Sequence, residues 1–189
     1  MPDPLRTAGD IVGFIARQPP MMDVLRLVEA LDLPDCWIGA GFVRNAVWDA
    51  LHDRPWSPSY GDIDVVYFDV GDAGAERDIA LEARLARSMP GAPWSVKNQA
   101  RMHAANGDPP YAGTADALAH WPETCTAVAV RSIGSRVELL APFGISDLVT
   151  LTVKATPAFA GKPGIYRARI ARKEWGRRWP RLRIEGRRG

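Results

Sequence analysis

The chain has 189 residues, 47% hydrophobic and 24% charged, with a net charge of +2. This is the composition of an ordinary globular protein with enough chain for a sizeable core. No apolar run reaches the roughly 18 residues of a membrane span, and "MPDPLRTAGDIVGFIARQPP" lacks a basic stretch leading into a long apolar one, so no signal peptide is read and the cytoplasm is the default location.

In chain order, "MMDVLRLVEALDL" repeats apolar residues at helical spacing (Met22, Leu25, Val28, Leu31), and Pro34 closes it. "CWIGA" reads as a short buried strand and "FVRNAVWDALHD" as an amphipathic helix. A Pro/Ser/Gly loop, "RPWSPSYG", then leads into "DIDVVYFDV", a β-branched and aromatic central strand. "GAERDIALEARLARSM" is helical, with alternating charge on its outer side. "WSVKNQARMH" reads as extended, and Thr114 is positioned to cap a short helix over "TADALAHWPE". "TAVAVRSIGSRVELLAP" is a hairpin turning at Gly134-Ser135. "GISDLVTLTVKATPAF" is a helical turn followed by an edge strand. A last basic helix spans 164–180, ended by Pro180. Cys36 and Cys125 lie in apolar runs and read as buried small hydrophobes rather than a disulfide. The helix–strand alternation gives way to a strand-rich second half, which predicts one α+β domain over 1–189 with a mixed β-sheet flanked by helices.

Charge is unevenly distributed. Residues 167–189 hold ten Arg or Lys against Glu174 and Glu185, a local +8, so the other 166 residues carry −6. A basic end on an acidic body suggests a phosphate-rich partner. Trp175 and Trp179 share one helical face among Arg177, Arg178 and Arg181. The expectation is that the tryptophans dock this helix onto the body, with stacking on RNA bases as the alternative.

The stretch "WIGAGFVRNAVWDAL" followed by "GDIDVVYFD" holds the chemistry. A dinucleotide-binding turn needs a third glycine for close helix–strand packing. Here Gly39 and Gly41 supply two, but Arg44 stands at the third position. That fold also needs a single ribose-binding acid, whereas this chain presents Asp62 and Asp64. Positions i and i+2 of a strand project from one face. Two carboxylates so placed repel unless a cation lies between them, which suits a divalent ion such as Mg²⁺ or Mn²⁺ shared with substrate phosphates. The turn Gly39-Ala40-Gly41 offers backbone N–H groups and the positive end of the following helix to those phosphates. Arg44, one turn in, can add a charge-assisted contact beside Asn45.

These motifs resemble the nucleotidyltransferase superfamily, and most closely a bacterial nucleotidyltransferase-like family that also carries segments like "VKNQARMH", "WPETCTAV" and "APFGISDL". The resemblance spans most of the chain. It implies a mixed sheet flanked by helices, a nucleoside triphosphate donor, Mg²⁺, and transfer of a nucleotidyl group to an acceptor. It also implies a third carboxylate on a later strand, for which Val137-Glu138-Leu139 fits, with Glu123 and Asp147 in reserve. The expected metal set is therefore Asp62, Asp64 and Glu138, with Gly39, Ala40, Gly41, Arg44, Asn45, Lys97 and Arg101 around the nucleotide. Asp69 falls seven residues after Asp62, on the opposite strand face, and reads as structural. A binding module that kept the fold without the chemistry is the alternative, and it would have no need of Glu138 near the Asp pair. His52, His103 and His120 show no metal-ligand spacing, and no Gly-x-Ser-x-Gly elbow exists.

Overall fold

The computed structural model describes residues 5–54 and 61–186. The expected loop between the glycine turn and Asp62 falls mostly outside them, as do Arg187 and Arg188. Five strands form the main sheet: β1 (Trp37–Gly39), β2 (Ile63–Tyr67), β3 (Trp94–Asn98), β4 (Ala129–Ile133) and β5 (Arg136–Leu140), in the spatial order β3-β2-β1-β4-β5. β2 and β3 are parallel, and the other pairs are antiparallel. The sheet is therefore mixed, and β1 runs against β2. That antiparallel pairing removes the parallel β-α-β unit on which a dinucleotide site is built.

Alternation along the strands gives the sheet two different faces. Ile38, Ile63, Val65, Val96, Val130 and Val137 point into the large core. It is covered by α1 (Ala8–Ala16), α2 (Pro19–Glu29), α3 (Gly41–Leu51) and α4 (Ala75–Ser88). α1 precedes the first helix expected from apolar spacing. A capping box sets its start, with Thr7 Oγ1 accepting from the Asp10 N–H and the Asp10 carboxylate accepting from the Thr7 N–H. The other face buries only Trp37, Val66, Leu118 and Ala129, with Trp121 and Leu140 beside them. This thinly covered face leaves room for a site.

Several local expectations are corrected. "WSVKNQARMH" is extended only through Asn98, then turns into α5 (Gln99–Asn106), where Asn98 Oδ1 accepts from the Ala100 N–H. Thr114 does not cap α6 (Thr114–Ala119). It donates its hydroxyl to the Asp35 carbonyl and its N–H to the Asp35 carboxylate, a contact 79 residues away in sequence. After α7 (Ser146–Val149), the expected edge strand does not join the main sheet. It is β6 (Thr152–Val153), and it pairs in parallel with β7 (Arg183–Ile184). Cys36 and Cys125 are unpaired, and burial pushes both thiols up to about 12.

The basic C-terminal helix is not continuous. Beyond α8 (Pro157–Ala160), α9 covers Pro163–Lys173 and α10 covers Trp175–Arg178, with Glu174 left-handed (φ +46°) between them. The break turns both tryptophans inward. Trp175 and Trp179 are buried and meet Trp48 of α3 edge-on, at ring distances of 5.6 and 5.1 Å. Docking is thus the role these two side chains take. Asp49, fully buried on α3, accepts from Arg178 Nη2 and from Trp179 Nε1 at 2.9 Å each. Aliphatic and aromatic burial fastens the C-terminal segment, and one buried ion pair sets its register.

Candidate active site

A cavity of about 540 Å³ opens on the thin face of the sheet, between the start of α3, the start of β2 and the helices α9 and α10. Ala40, Gly41, Arg44 and Asn45 line it from one side, and Asp62 and Asp64 from another. The register explains the meeting. Asp64 of β2 stands directly opposite Gly39 of β1, so the strand that carries the acids begins beside the turn. Asp64 is half-buried and Asp62 exposed. Burial first, and then the like charge of Asp62, push the Asp64 carboxyl up to about 6, against the pull of Arg44, Lys173 and Arg169. Its ionised form is poorly hydrated and crowded by a second anion, the condition that a bound cation relieves.

The turn itself is shaped by packing. A Cβ on Gly39 would lie 2.7 Å from the Trp121 ring, so glycine is required there for close approach. Ala40 has φ +50° and ψ −119°, a conformation that favours glycine, and its N–H donates to the Val128 carbonyl at 3.0 Å. A strained residue is held there by its surroundings. Arg44 is buried yet reaches the cavity. Its guanidinium donates to Thr126 Oγ1 (2.8 Å) and Asn45 Oδ1 (2.9 Å) and stacks over Trp175 at 4.5 Å. Burial pulls its basicity down, and the group stays a cation fixed in one orientation.

Further cations come from α9 and α10, where Arg178, held by Asp49, also lines the cavity. Arg169 and Lys173 line the cavity one turn apart. Arg169 is aimed by Glu123, which is fully buried and accepts from Arg169 Nε at 2.5 Å. Lys173 is held below its usual range by burial and by the neighbouring Arg169 and Arg44. In the sequence these two residues stand only as part of a basic run. Their spacing of four was visible, but not that α9 folds back over the acids.

Glu138 is not brought to this site. Across the sheet, Asp64, Gly39, Ala129 and Leu140 form one row, and Arg131 and Glu138 lie in the next row of the same face. Three strand spacings of about 4.8 Å put β5 roughly 14 Å sideways from β2. There Glu138 accepts from Arg131 (2.8 Å) and Arg136 (2.6 Å), and the hydrogen bond from Arg131 holds its carboxyl below the ordinary range. The reserves are engaged elsewhere as well. Glu123 holds Arg169, and Asp147 accepts from Thr124 Oγ1 (2.7 Å) and pairs with Lys154 (3.1 Å). Among the described residues, no group of three or more His, Cys, Asp or Glu side chains is assembled as a metal cluster.

The polar run after β3 divides. Arg101 pairs with Asp78, a buried carboxylate that also accepts from the Tyr67 hydroxyl, and it does not line the cavity. Lys97 reaches neither turn nor Asp62. It pairs with Glu82 at 3.1 Å and lines a neighbouring cavity with Asp64. Asn98 clamps a loop through the Asp69 and Asp72 carbonyls, while Asp69 pairs with Arg77 at 2.6 Å, as a structural residue would.

Comparison with other proteins agrees with this geometry. A family profile described as nucleotidyltransferase matches residues 26–184. A protein whose NMR structure is described as a CCA-adding enzyme head domain is 32% identical, with a TM-score of 0.85 over 95% of this chain and 96% of that one. The Thermotoga maritima CCA-adding enzyme complexed with tRNA is 18% identical, with a TM-score of 0.56 over 95% of this chain and 42% of its own. A CCA-adding enzyme complexed with CTP gives 18% and 0.57, over 95% and 43%. The chain thus spans less than half of these two enzymes, and at such identity they share the fold. No curated protein matches. No helix among the described residues is long and apolar enough to cross a membrane. On its profile match over residues 26–184 and its 32% identity to the head domain over nearly the whole of both chains, the chain belongs to the nucleotidyltransferase family.

Proposed function

We propose that the chain transfers a nucleotidyl group from a nucleoside triphosphate to an acceptor hydroxyl, with Mg²⁺ or Mn²⁺ held by Asp62 and Asp64. One observation carries this reading: the paired acids and Ala40 and Gly41 of the glycine turn line the same cavity. The donor set suits a hard divalent ion, being all carboxylate oxygen, with Asp64 raised to about 6 by burial and by the like charge of Asp62. When bound, the ion would neutralise charge on the reacting phosphate.

The chain's own groups do the rest. The N-terminal turn of α3 directs N–H groups and the helix dipole into the cavity, toward phosphate oxygens. Arg44, fixed by Thr126, Asn45 and Trp175, Arg169, fixed by Glu123, and Lys173 supply three cations around the same volume. Positioned cations stabilise the charge that develops as the pyrophosphate leaves. RNA is the acceptor class that fits this reading. It is supported by the tRNA complex of the Thermotoga maritima enzyme and by exposed Arg167, Arg172 and Arg177 on α9 and α10.

The test is incubation with ATP, CTP, GTP and UTP plus Mg²⁺, with and without bulk RNA, measuring pyrophosphate release and its loss in Asp62→Asn. Mg²⁺-dependent nucleotide binding with no pyrophosphate under any acceptor would leave a binding module. Nucleotide binding that ignores both Mg²⁺ and Asp62 would overturn the reading.

A further inference from the structure

A second cavity of about 350 Å³ adjoins the first, and Asp64, Trp121 and Pro122 line both. Its position follows from strand order. β2 lies between β1 and β3, so the glycine turn flanks Asp64 on one side, and Ser95 and Lys97 of β3 flank it on the other. α9 runs across both cavities on a single face. Lys162, at its N-cap, and Ile165 line the second cavity, and Arg169 and Lys173 line the first, at spacings of three, four and four. Asp64 therefore stands where two binding volumes meet.

The two volumes differ in chemistry. The first is walled by the helix N-terminus and four cations, Arg44, Arg169, Lys173 and Arg178, as a triphosphate requires. The second has apolar walls in Trp121, Phe159, Met102 and Ile165, with the amides of Gln99 and Asn106 among them and with Lys97 and Lys162 each beside a carboxylate, Glu82 and Asp108. Lys162 lies over the Phe159 ring at 5.4 Å and stands 3.9 Å from Asp108, too far for a hydrogen bond. Asp108 is itself held by the Tyr111 hydroxyl at 2.6 Å. Flat apolar walls interleaved with amide groups suit a heteroaromatic ring, and two lysines already beside carboxylates leave a place for no more than a single anionic group on it. The volume is at the low end of the roughly 300–1,000 Å³ of small-ligand sites, which limits the occupant to one such unit.

Resting on the nucleotidyl-transfer reading, we infer that the second cavity is the acceptor subsite and takes one nucleotide unit, its ribose hydroxyl turned toward Asp64. In the reaction that hydroxyl oxygen bonds to the α-phosphorus of the triphosphate as the bond from that phosphorus to pyrophosphate breaks. The hydroxyl proton passes to solvent and pyrophosphate leaves. The unit can come from a free mononucleotide or from the 3′ end of an RNA strand.

The experiment measures binding of two probes, AMP and a short oligoribonucleotide with a free 3′ hydroxyl, in the presence of Mg²⁺ and α,β-methylene ATP. Ile165 is 61% exposed, so Ile165→Glu changes the cavity wall without removing core. Expected is a loss of tenfold or more in probe affinity, with affinity for the ATP analogue within twofold of wild type. Phe159→Ala should show the same selectivity without added charge, and Lys173→Ala the reverse. Binding of AMP alone identifies a free nucleotide acceptor, and binding of the oligonucleotide alone an RNA end. Failure of both probes to bind overturns the inference. So does probe binding that Ile165→Glu and Phe159→Ala leave intact, or weaken no more than binding of the ATP analogue. If the wild type binds a probe in an Ile165-dependent way yet never binds the ATP analogue, the subsite stands and the transfer reading falls.

Discussion

Asp64→Asn should stabilise the metal-free protein while disabling it, and the reason is in the site. Burial and the neighbouring Asp62 raise the Asp64 carboxyl from 3.8 to about 6. A shift of about 2 units corresponds to about 3 kcal/mol at 1.36 kcal/mol per unit. The folded value lies above the unfolded one. The stability it contributes is therefore fully present below the unfolded value and is lost as pH rises through the folded value. Above pH 6 or so the metal-free fold carries the full cost of an ionised Asp64, which asparagine, nearly isosteric and neutral, avoids. Discounted for the residue's partial exposure, the gain is about 1–3 kcal/mol. In a domain of this size each kcal/mol moves Tm by roughly 2–4 °C, so the variant should melt roughly 3–10 °C higher at pH 8 in EDTA. Near pH 4 the two curves should converge, because Asp64 is then neutral in the folded wild type. Saturating Mg²⁺ at pH 8 should narrow the gap by stabilising the wild type alone. Thermal melts from pH 4 to 8, with EDTA or Mg²⁺, provide the measurement. A variant that melts no higher than wild type at pH 8 would refute the account of Asp64 as a carboxylate strained for want of a cation.

The same group sets a second expectation. Mg²⁺ needs the ionised carboxylate, so its affinity by calorimetry should fall about tenfold between pH 7 and pH 5, and a flat profile would count against Asp64 as a ligand. Glu138→Gln should leave both Mg²⁺-dependent nucleotide binding and pyrophosphate release within about twofold of wild type, because its partners are Arg131 and Arg136; a hundredfold loss would return it to the site. Ala40→Gly should raise stability by about 1 kcal/mol in urea titrations by relieving the positive φ, whereas Gly39→Ala should lower it by about 1–3 kcal/mol as its Cβ meets Trp121. Asp49→Ala removes the carboxylate that accepts from both Arg178 and Trp179 Nε1, so it should cost about 3 kcal/mol and loosen α10, seen as protease cleavage near residue 174.

What the sequence determined by itself was local. Period-two alternation put Asp62 and Asp64 on one face, the glycine-rich turn marked the start of α3, and Gly134-Ser135 marked the hairpin, because each depends only on neighbours along the chain. The tryptophan pair read as a docking face for a similar reason, though not the left-handed Glu174 that breaks the helix and turns both rings inward. Tertiary structure alone decided the rest. Glu138 has the right alternation for a ligand, but alternation specifies a face and not a column, and the strand order leaves β5 three strands from the acids. Arg101 and Lys97 carried the right charge and were claimed by Asp78 and Glu82, carboxylates whose nearness no spacing announces. Conversely, Trp121, Arg169 and Lys173 became lining residues because α9 returns across the sheet face and Gly39 leaves room for an indole. Positions along a strand or helix follow from backbone geometry, whereas which strands and helices meet follows from how the apolar faces of the whole chain pack together.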